Sequence, residues 1–345
     1  MNEKTKIKNE ILNKIENASN IAICAHRNPD FDCISSALIF YFFIKENYKK
    51  SATIFVEDDV DGLEFYSTLP GFDKVNFVDD LAKSISAYDL LIFVDSNVYK
   101  QFTSDPLALE NILKSKENIL VDHHDGEGDR FNTKFAFPES PSCAGVFTDF
   151  LFDENSANFE MAFWSVVGIM SDTSKLSYVD STQIFEVEKL TRLVKQFLID
   201  LRLVNRILDY RTRFDVLQEQ ELFKNLSVRF SEKLNCNFIC SFLSEDFYKI
   251  DAGKKGLAES TFINFYLYNI ANCEWGFVVK MKDSKNFKIS FRSSGRGPNV
   301  RLWTELFGGG GHNQAAGASI KFDKNTKPLE VIDYVIQKIE NSSIK

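Results

Sequence analysis

The chain has four histidines, and each stands in a short stretch of acids or glycines. His26 lies in AHRNPDFD (25–32), His123 and His124 in VDHHDGEG (121–128), and His312 in GGGGHNQAAG (308–317). Two of these stretches set imidazole beside carboxylate, the donor mixture that suits a hard or borderline divalent cation. His26, Asp30 and Asp32 share one strand-to-helix loop, where two carboxylates one residue apart can face two different ions. In two-metal hydrolases such ions sit about 3.5–4 Å apart and clamp a water and a phosphoryl oxygen. The same loop also reads as an Asp N-cap opening a helix, with His26 merely at a strand end. Asp122, His123 and His124 are more specific. Adjacent imidazoles point in different directions, so one can ligate metal while the other faces substrate, and Asp122 can orient an imidazole from behind. Asp95 and Asp172 gain meaning only by arriving at the same edge as these clusters. Together the residues point to a metal-dependent hydrolase.

A second group, nearer the C-terminus, has the chemistry of an anion site. Arg292 and Arg296 flank Ser293, Ser294 and Gly295, and Gly308, Gly309, Gly310 and Gly311 precede His312. Consecutive glycines let backbone N–H groups approach an anion closely, and the two guanidinium groups offer forked hydrogen bonds to phosphate. No Gly-Lys-Ser/Thr follows, so this is not a nucleoside-triphosphate loop.

The elements that must position these groups are legible from hydrophobic pattern. Ile7, Ile11 and Ile15 recur at helical spacing and predict an opening helix over 5–17. Apolar runs IAICA (21–25), SATIFV (51–56), LLIFV (90–94) and NILV (118–121) alternate with helical stretches at 34–47, 62–69 and 107–117. Runs without outward polar positions predict an α/β domain with a parallel sheet covered on both faces. IAICA delivers His26, Asp30 and Asp32, LLIFV delivers Asp95, and NILV delivers Asp122, His123 and His124. FWSVVGIM (163–170), more helical than strand-like, delivers Asp172. Because open parallel sheets bind ligands outside the carboxyl ends of their strands, the four arrivals are expected to converge there. The pattern predicts a catalytic, metal-binding domain over 1–182, a charged helical linker over 183–225, and a smaller α+β domain over 226–345. The last should hold two antiparallel hairpins, a strand at GASIKF (317–322) and a closing helix near 328–341.

Bulk properties set outer limits. A length of 345 residues suits two domains, each with its own core. The net charge of −8 argues against a long basic groove tracking a nucleic-acid polymer. If Asp30, Asp32, Asp95 and Asp172 hold two divalent ions, however, their charge is cancelled, and a short anionic substrate fits. Cys24, Cys33, Cys143, Cys236, Cys240 and Cys273 show neither C-x-x-C pairing nor zinc spacing and are expected to be reduced, packed thiols. The N-terminus lacks the apolar segment of a signal peptide, and the longest apolar run, ALIFYFFI (37–44), is far short of the ~20 residues that span a bilayer. A cytoplasmic protein with no membrane partner is expected.

In chain order, AHRNPDFD, VDSN, VDHH, GIMSDTS, FRSSG and GGGGHNQAAG resemble the motifs of the DHH phosphoesterase family, in the subgroup carrying the DHH-associated C-terminal domain. The resemblance runs from about residue 20 to 322. It implies two manganese ions, one held by His26, Asp30 and Asp95, the other by Asp32, Asp95, His123 and Asp172, with Asp95 bridging. It further implies that His124 lies beside the scissile phosphate as stabiliser or acid and that Asp122 supports the histidine pair. The region of Arg292, Ser293 and Arg296 and the segment from Gly309 to His312 would bind the nucleotide end of the substrate. The implied reaction is in-line attack on phosphorus by a water made acidic between the cations. The implied substrates are short RNA oligonucleotides and 3′-phosphoadenosine 5′-phosphate, not a long duplex, and a homodimer is compatible with this. The same chemistry serves hydrolysis of cyclic di-AMP or pApA. A RecJ-like exonuclease on single-stranded DNA fits less well, given the short chain and its lack of a basic extension. The family's pyrophosphatases lack the GGGGH segment. A nucleotide sensor built on a dead enzyme is opposed by the intact metal positions. Phe31, Ser35 and Ser174 stand where the family usually has Gly. None is an implied ligand, but Phe31 is placed to reshape a phosphate pocket.

Overall fold

In the computed structural model the wholly apolar runs of the N-terminal half become the inner strands of one sheet. β1 (Ile21–Ala25) and β4 (Leu90–Val94) are buried at every residue, which only a sheet covered on both faces allows. They pair with each other. β2 (Ala52–Glu57) and β3 (Val75–Val78) lie outside β1, and β5 (Glu117–Asp122) and β6 (Thr133–Ala136) lie outside β4. The order is β3-β2-β1-β4-β5-β6, and every pairing is parallel. The strand order reverses between β1 and β4, the point at which such sheets bind ligands. The structure describes residues 3–57, 68–150, 156–177, 179, 181–211, 213–245, 247, 262–263, 270, 272–294, 296–311 and 313–344. The helix expected over 62–69 therefore lies almost wholly outside the described residues.

Alternate strand residues feed two cores. Ile21, Ile23, Ala25, Ile92 and Val94 pack with α1 (Glu3–Asn17), α2 (Phe31–Phe43), α6 (Cys143–Phe150), α7 (Phe159–Asp172), α8 (Ile184–Phe197) and α9 (Leu201–Leu208). Ala22, Cys24, Leu91 and Phe93 pack on the other face with α3 (Leu81–Ile85), α4 (Tyr99–Phe102) and α5 (Pro106–Leu113). The α/β architecture anticipated from the sequence is the one observed. Strands β3 and β6 are not marked in the sequence, because no residue of β3 and only alternate residues of β6 are buried and neither carries an unbroken apolar run. The helix foreseen at 34–47 begins earlier, at Phe31, because Asp30 caps it by accepting from the Cys33 N–H at 2.9 Å. Asp32, expected in the loop, stands in the first helical turn.

The chain divides into two compact units, Met1–Tyr210 and Arg211–Lys345. The helical stretch expected as a linker over 183–225 is shared between them, with α8 and α9 in the first and α10 (Arg213–Lys224) in the second. In the second unit, β7 (Ser227–Ser231) and β8 (Cys236–Leu243) form one antiparallel pair, and β9 (Cys273–Met281) and β10 (Asn286–Ser293) another. β8 and β9 run parallel. β12 (Ala315–Lys321) pairs with β10, and the two-residue β11 (Gly310–Gly311) edges it, after the short α11 (Val300–Glu305). α12 (Pro328–Glu340) buries Val331, Ile332, Val335 and Ile339 against this sheet. All six cysteines are free thiols. Among the described residues no helix is long and apolar enough to cross a membrane.

One buried carboxylate ties the end of β2 to the start of α3 and to the turn between α4 and α5. At the end of β2, Glu57 accepts hydrogen bonds from the Leu81 N–H at 2.9 Å, the Thr103 hydroxyl at 2.6 Å and the Ser104 N–H. Burial opposes its charge, but these donors overcome burial and hold the carboxyl below the usual range. Its stabilisation is therefore complete above the unfolded value of about 4.3 and fades as pH falls through the lower folded value. Glu57→Gln is expected to cost about 1–3 kcal/mol near neutral pH, measured by denaturant unfolding. The deficit should shrink on acidification to about pH 3, and an undiminished deficit there would contradict this role.

Candidate metal centre

The carboxyl ends of β1, β4 and β5 and the end of α7 bring their side chains to one place. Nδ1 of His26 lies 2.9 Å from the Arg27 carbonyl, and Nδ1 of His123 lies 3.3 Å from the Ser140 carbonyl. A carbonyl only accepts, so in both rings Nδ1 carries a proton and Nε2 faces inward. His26 Nε2 stands 3.6 Å from Asp95 Oδ2. His123 Nε2 stands 3.3 Å from Asp95 Oδ1, 3.4 Å from Asp172 Oδ2 and 3.9 Å from Asp32 Oδ2. The two oxygens of Asp95 thus face two different imidazoles. Cys33 joins the first of these groups, since its sulfur, His26 and Asp95 place ligand atoms within 4.8 Å of one another.

These separations test whether a cation fits. They exceed the usual 2.7–3.2 Å of an N–H···O bond, and Nε2 of His123 and Oδ1 of Asp95 are buried without a hydrogen bond. Two donors on one cation, each about 2.0–2.2 Å from it, lie about 3 Å or more apart. A buried lone pair facing three carboxylates is repulsive unless a proton or a cation lies between. The donor set fits the cation, and its imidazole–carboxylate mixture is the one divalent metals take.

The electrostatics agree. Burial, with Asp95 and Asp30 adding like charge, pushes the Asp32 carboxyl up to about 8. Burial and the charges of Asp32 and Asp30 raise Asp172 well above its ordinary value. Burial works against the charged forms of His26 and His123, but the groups facing them overcome it and hold both well above the usual imidazole value. For His26 these are Cys33, Asp95 and Asp30; for His123 they are Asp95, Asp172 and Asp32. Burial also opposes the charge of Asp95, yet the two imidazoles hold it well below the carboxylate range. In the absence of a cation, protons fill the place of positive charge.

His124, backed by Asp122, stands at the rim. Asp122 is fully buried, and its Oδ1 accepts from Nδ1 of His124 at 2.8 Å and from the backbone N–H groups of His123 and His124 at 2.8 and 3.2 Å. It therefore fixes the ring of His124 and the backbone of both histidines, whereas the His123 ring is fixed by Ser140. Asp30 is exposed; its Oδ1 caps α2, and its charge acts on His26 and Asp172.

In the second unit, Arg292 and Ser293 end β10. Arg292 sits opposite Ala315 of β12, and the Ser293 N–H donates to the Gln314 carbonyl at 2.9 Å. Gly311 pairs with Ala316 from the other side of the same strand, and Gly309 precedes it. Arg296 is exposed two residues beyond Ser294, whose hydroxyl accepts from the Arg296 N–H at 3.3 Å. Arg292, Ser293 and the glycine segment therefore meet at the start of β12. His312 lies outside the described residues.

Comparison with known proteins places this geometry. The model of the DHH family N-terminal domain matches residues 20–178, and that of the DHHA1 domain matches residues 252–338. The chain belongs to the DHH family. Among its relatives is a bifunctional oligoribonuclease and PAP phosphatase, NrnA, of Mycoplasma genitalium, 24% identical over 96% of this chain and 97% of the relative. Another is the cyclic-di-AMP phosphodiesterase GdpP of Bacillus subtilis, 23% identical over 97% of this chain but 51% of the relative. The crystal structure of an exopolyphosphatase-related protein from Bacteroides fragilis shares the fold, with a TM-score of 0.79 and 22% identity over 97% of this chain and 96% of that one. This DHH protein is accordingly a phosphoesterase of the family.

Two supports of the DHH site have no local sequence signal. Asp32 is gripped by the N-terminus of α6, its Oδ2 accepting from the Cys143 N–H at 2.6 Å and its Oδ1 from the Ala144 N–H at 3.0 Å. Gly168 of α7 makes room for this, because a Cβ there would lie 2.5 Å from the Ala144 Cβ, 2.8 Å from Asp32 Oδ1 and 3.0 Å from the Ser35 Cβ. Helix propensity alone favours Gly168→Ala by about 0.5–1 kcal/mol, while overpacking costs about 1–3 kcal/mol. Gly168→Ala is therefore expected to lower stability and weaken divalent-cation binding; a variant stabilised in thermal unfolding with cation binding intact would refute this. Cation binding must also expel the protons that the raised Asp32, His26 and His123 hold, so affinity should rise with pH toward about 8. Calorimetric titration in buffers of different ionisation enthalpy should show proton release near neutral pH, and uptake without release would contradict the site.

Proposed function

We propose that this chain is a manganese-dependent phosphoesterase that hydrolyses short oligoribonucleotides and removes the 3′-phosphate of 3′-phosphoadenosine 5′-phosphate. The observation that carries the two-cation reading is Asp95, whose two oxygens face two imidazoles from different strand ends. His26, Asp30 and Asp95 would hold one cation, and Asp32, Asp95, His123 and Asp172 the other. When bound, paired cations bring the pKa of a shared water toward neutrality and neutralise charge on the phosphoryl group. Asp122 keeps His124 with its Nδ1 proton turned inward, leaving Nε2 to meet the phosphate or the leaving oxygen. Phe31, partly buried between Asp30 and Asp32, would shape the phosphate pocket. Arg292, Ser293, Arg296 and the glycine segment 309–311 with His312 would bind a nucleotide. The substrate choice leans on the NrnA relative, matched along 97% of its length, where the GdpP relative is matched along 51%. A cytoplasmic setting suits such substrates.

Cyclic di-AMP or pApA is the second reading, supported by the GdpP relative. Turnover on pApA, cyclic di-AMP, short RNA and phosphoadenosine phosphate with Mn2+ is expected to be highest on the last two, and a preference for cyclic di-AMP would reverse the assignment. Asp122→Ala and His123→Ala should each abolish Mn2+-dependent cleavage. Undiminished activity in both variants would reject the site.

A further inference from the structure

Helix α8 buries a charge pair that the metal chemistry does not use. Glu186 is 0% exposed and Lys189 3% exposed, and Lys189 Nζ lies 3.1 Å from Glu186 Oε2. Moving two charges out of water costs about as much as their pairing returns, so such a pair is weak evidence of a stabilising role. What it grips is more informative. The Lys189 ammonium donates to the Gly145 carbonyl at 3.1 Å, and the Ser140 hydroxyl lies 3.3 Å from Glu186 Oε1. The pair thus holds both ends of the segment 140–145.

That segment positions two candidate ligands. At one end, the Ser140 carbonyl accepts a hydrogen bond from Nδ1 of His123 and turns Nε2 toward the acids. Near the other, the N–H groups of Cys143 and Ala144 hold both oxygens of Asp32. Gly145 admits the carboxylate, since a Cβ there would lie 2.8 Å from the Ser140 hydroxyl oxygen and 2.9 and 3.0 Å from the Glu186 oxygens. We propose that Glu186 and Lys189 are positioning residues for the metal centre, clamping the 140–145 segment so that His123 Nε2 and the Asp32 carboxylate converge on one cation. This rests on the two-cation reading above.

The test uses the full chain and Mn2+ alone as probe. Glu186→Gln with Lys189→Met removes both charges together, leaving neither buried and unpaired. Gly145→Ala keeps the charges and presses a methyl group between the Ser140 hydroxyl and the Glu186 carboxylate. Binding is read from the electron paramagnetic resonance of free Mn2+, alongside thermal unfolding. Each variant is expected to bind Mn2+ about 10–100-fold more weakly, the loss typical of groups that orient a ligand. A folded double variant with wild-type Mn2+ affinity overturns the proposal, as does a lowered unfolding temperature with affinity unchanged, the signature of a merely structural staple. If the double variant does not fold, Gly145→Ala decides by the same criteria. A wild-type chain that binds no Mn2+ would instead remove the two-cation reading, and this inference with it.

Discussion

The first unit is organised around one buried carboxylate that needs positive charge on two sides. Asp95 is 3% exposed and faces imidazoles through both oxygens, with Asp32 and Asp172 crowding the second imidazole. Without cations or protons the arrangement is self-repelling, so the acids would spread apart if the chain let them. The sheet prevents it. Parallel pairing of β1 with β4 and of β4 with β5 makes the three strands end at one edge, with Cys24 opposite Phe93 and Val94 opposite Val121. The backbone continues this pairing past β4, where the Asp95 N–H donates to the Val121 carbonyl at 3.0 Å. Apolar burial above and below the strands therefore holds together a charge cluster that would otherwise disperse.

The candidate metal ligands were legible because each follows an apolar run, and for His26, Asp95 and His123 that run is a strand of a parallel sheet, whose outlet is known. The length of IAICA and the caps after it were enough to bring His26 to the edge, and LLIFV did the same for Asp95. The supports were not legible. Asp32 and Cys143 are 111 residues apart, Ser140 and Glu186 are 46 apart, and nothing in the local sequence of either partner announces the other. Gly168 carries no local mark of its role, which comes only from the packing of α7 against α2 and α6. The stretch 183–225 declared its helices but not which core each buries, because an amphipathic pattern gives a face and not a partner. In the second unit the hairpins were legible from turn residues between β-rich runs, while the parallel β8–β9 pairing, which joins the two hairpins, had no such mark.

Strain is distributed unevenly, and its distribution bears on function. Nine non-glycine residues among those described have positive φ, and five of them stand within four residues of a candidate ligand: Asn28, Asp95, Ser174, Lys175 and Leu176. Asparagine and aspartate tolerate this region through local hydrogen bonding, but serine, lysine and leucine do not, at roughly 1–2 kcal/mol each. The turn after α7 carries three in succession, with φ of 47, 56 and 69°. It doubles the chain back so that the Lys175 N–H reaches the Met170 carbonyl at 2.7 Å, ending the helix at Asp172 and leaving that carboxylate at the rim. A glycine at 174 would meet the same turn without the Cβ penalty. The serine shows that the fold imposes this conformation against local preference. Backbone held in costly conformations persists where its surroundings over-determine it, and here the turn is held by the Lys175 N–H on the Met170 carbonyl, by the Leu176 N–H on the Thr173 hydroxyl at 3.1 Å and by Leu176 packing on the core.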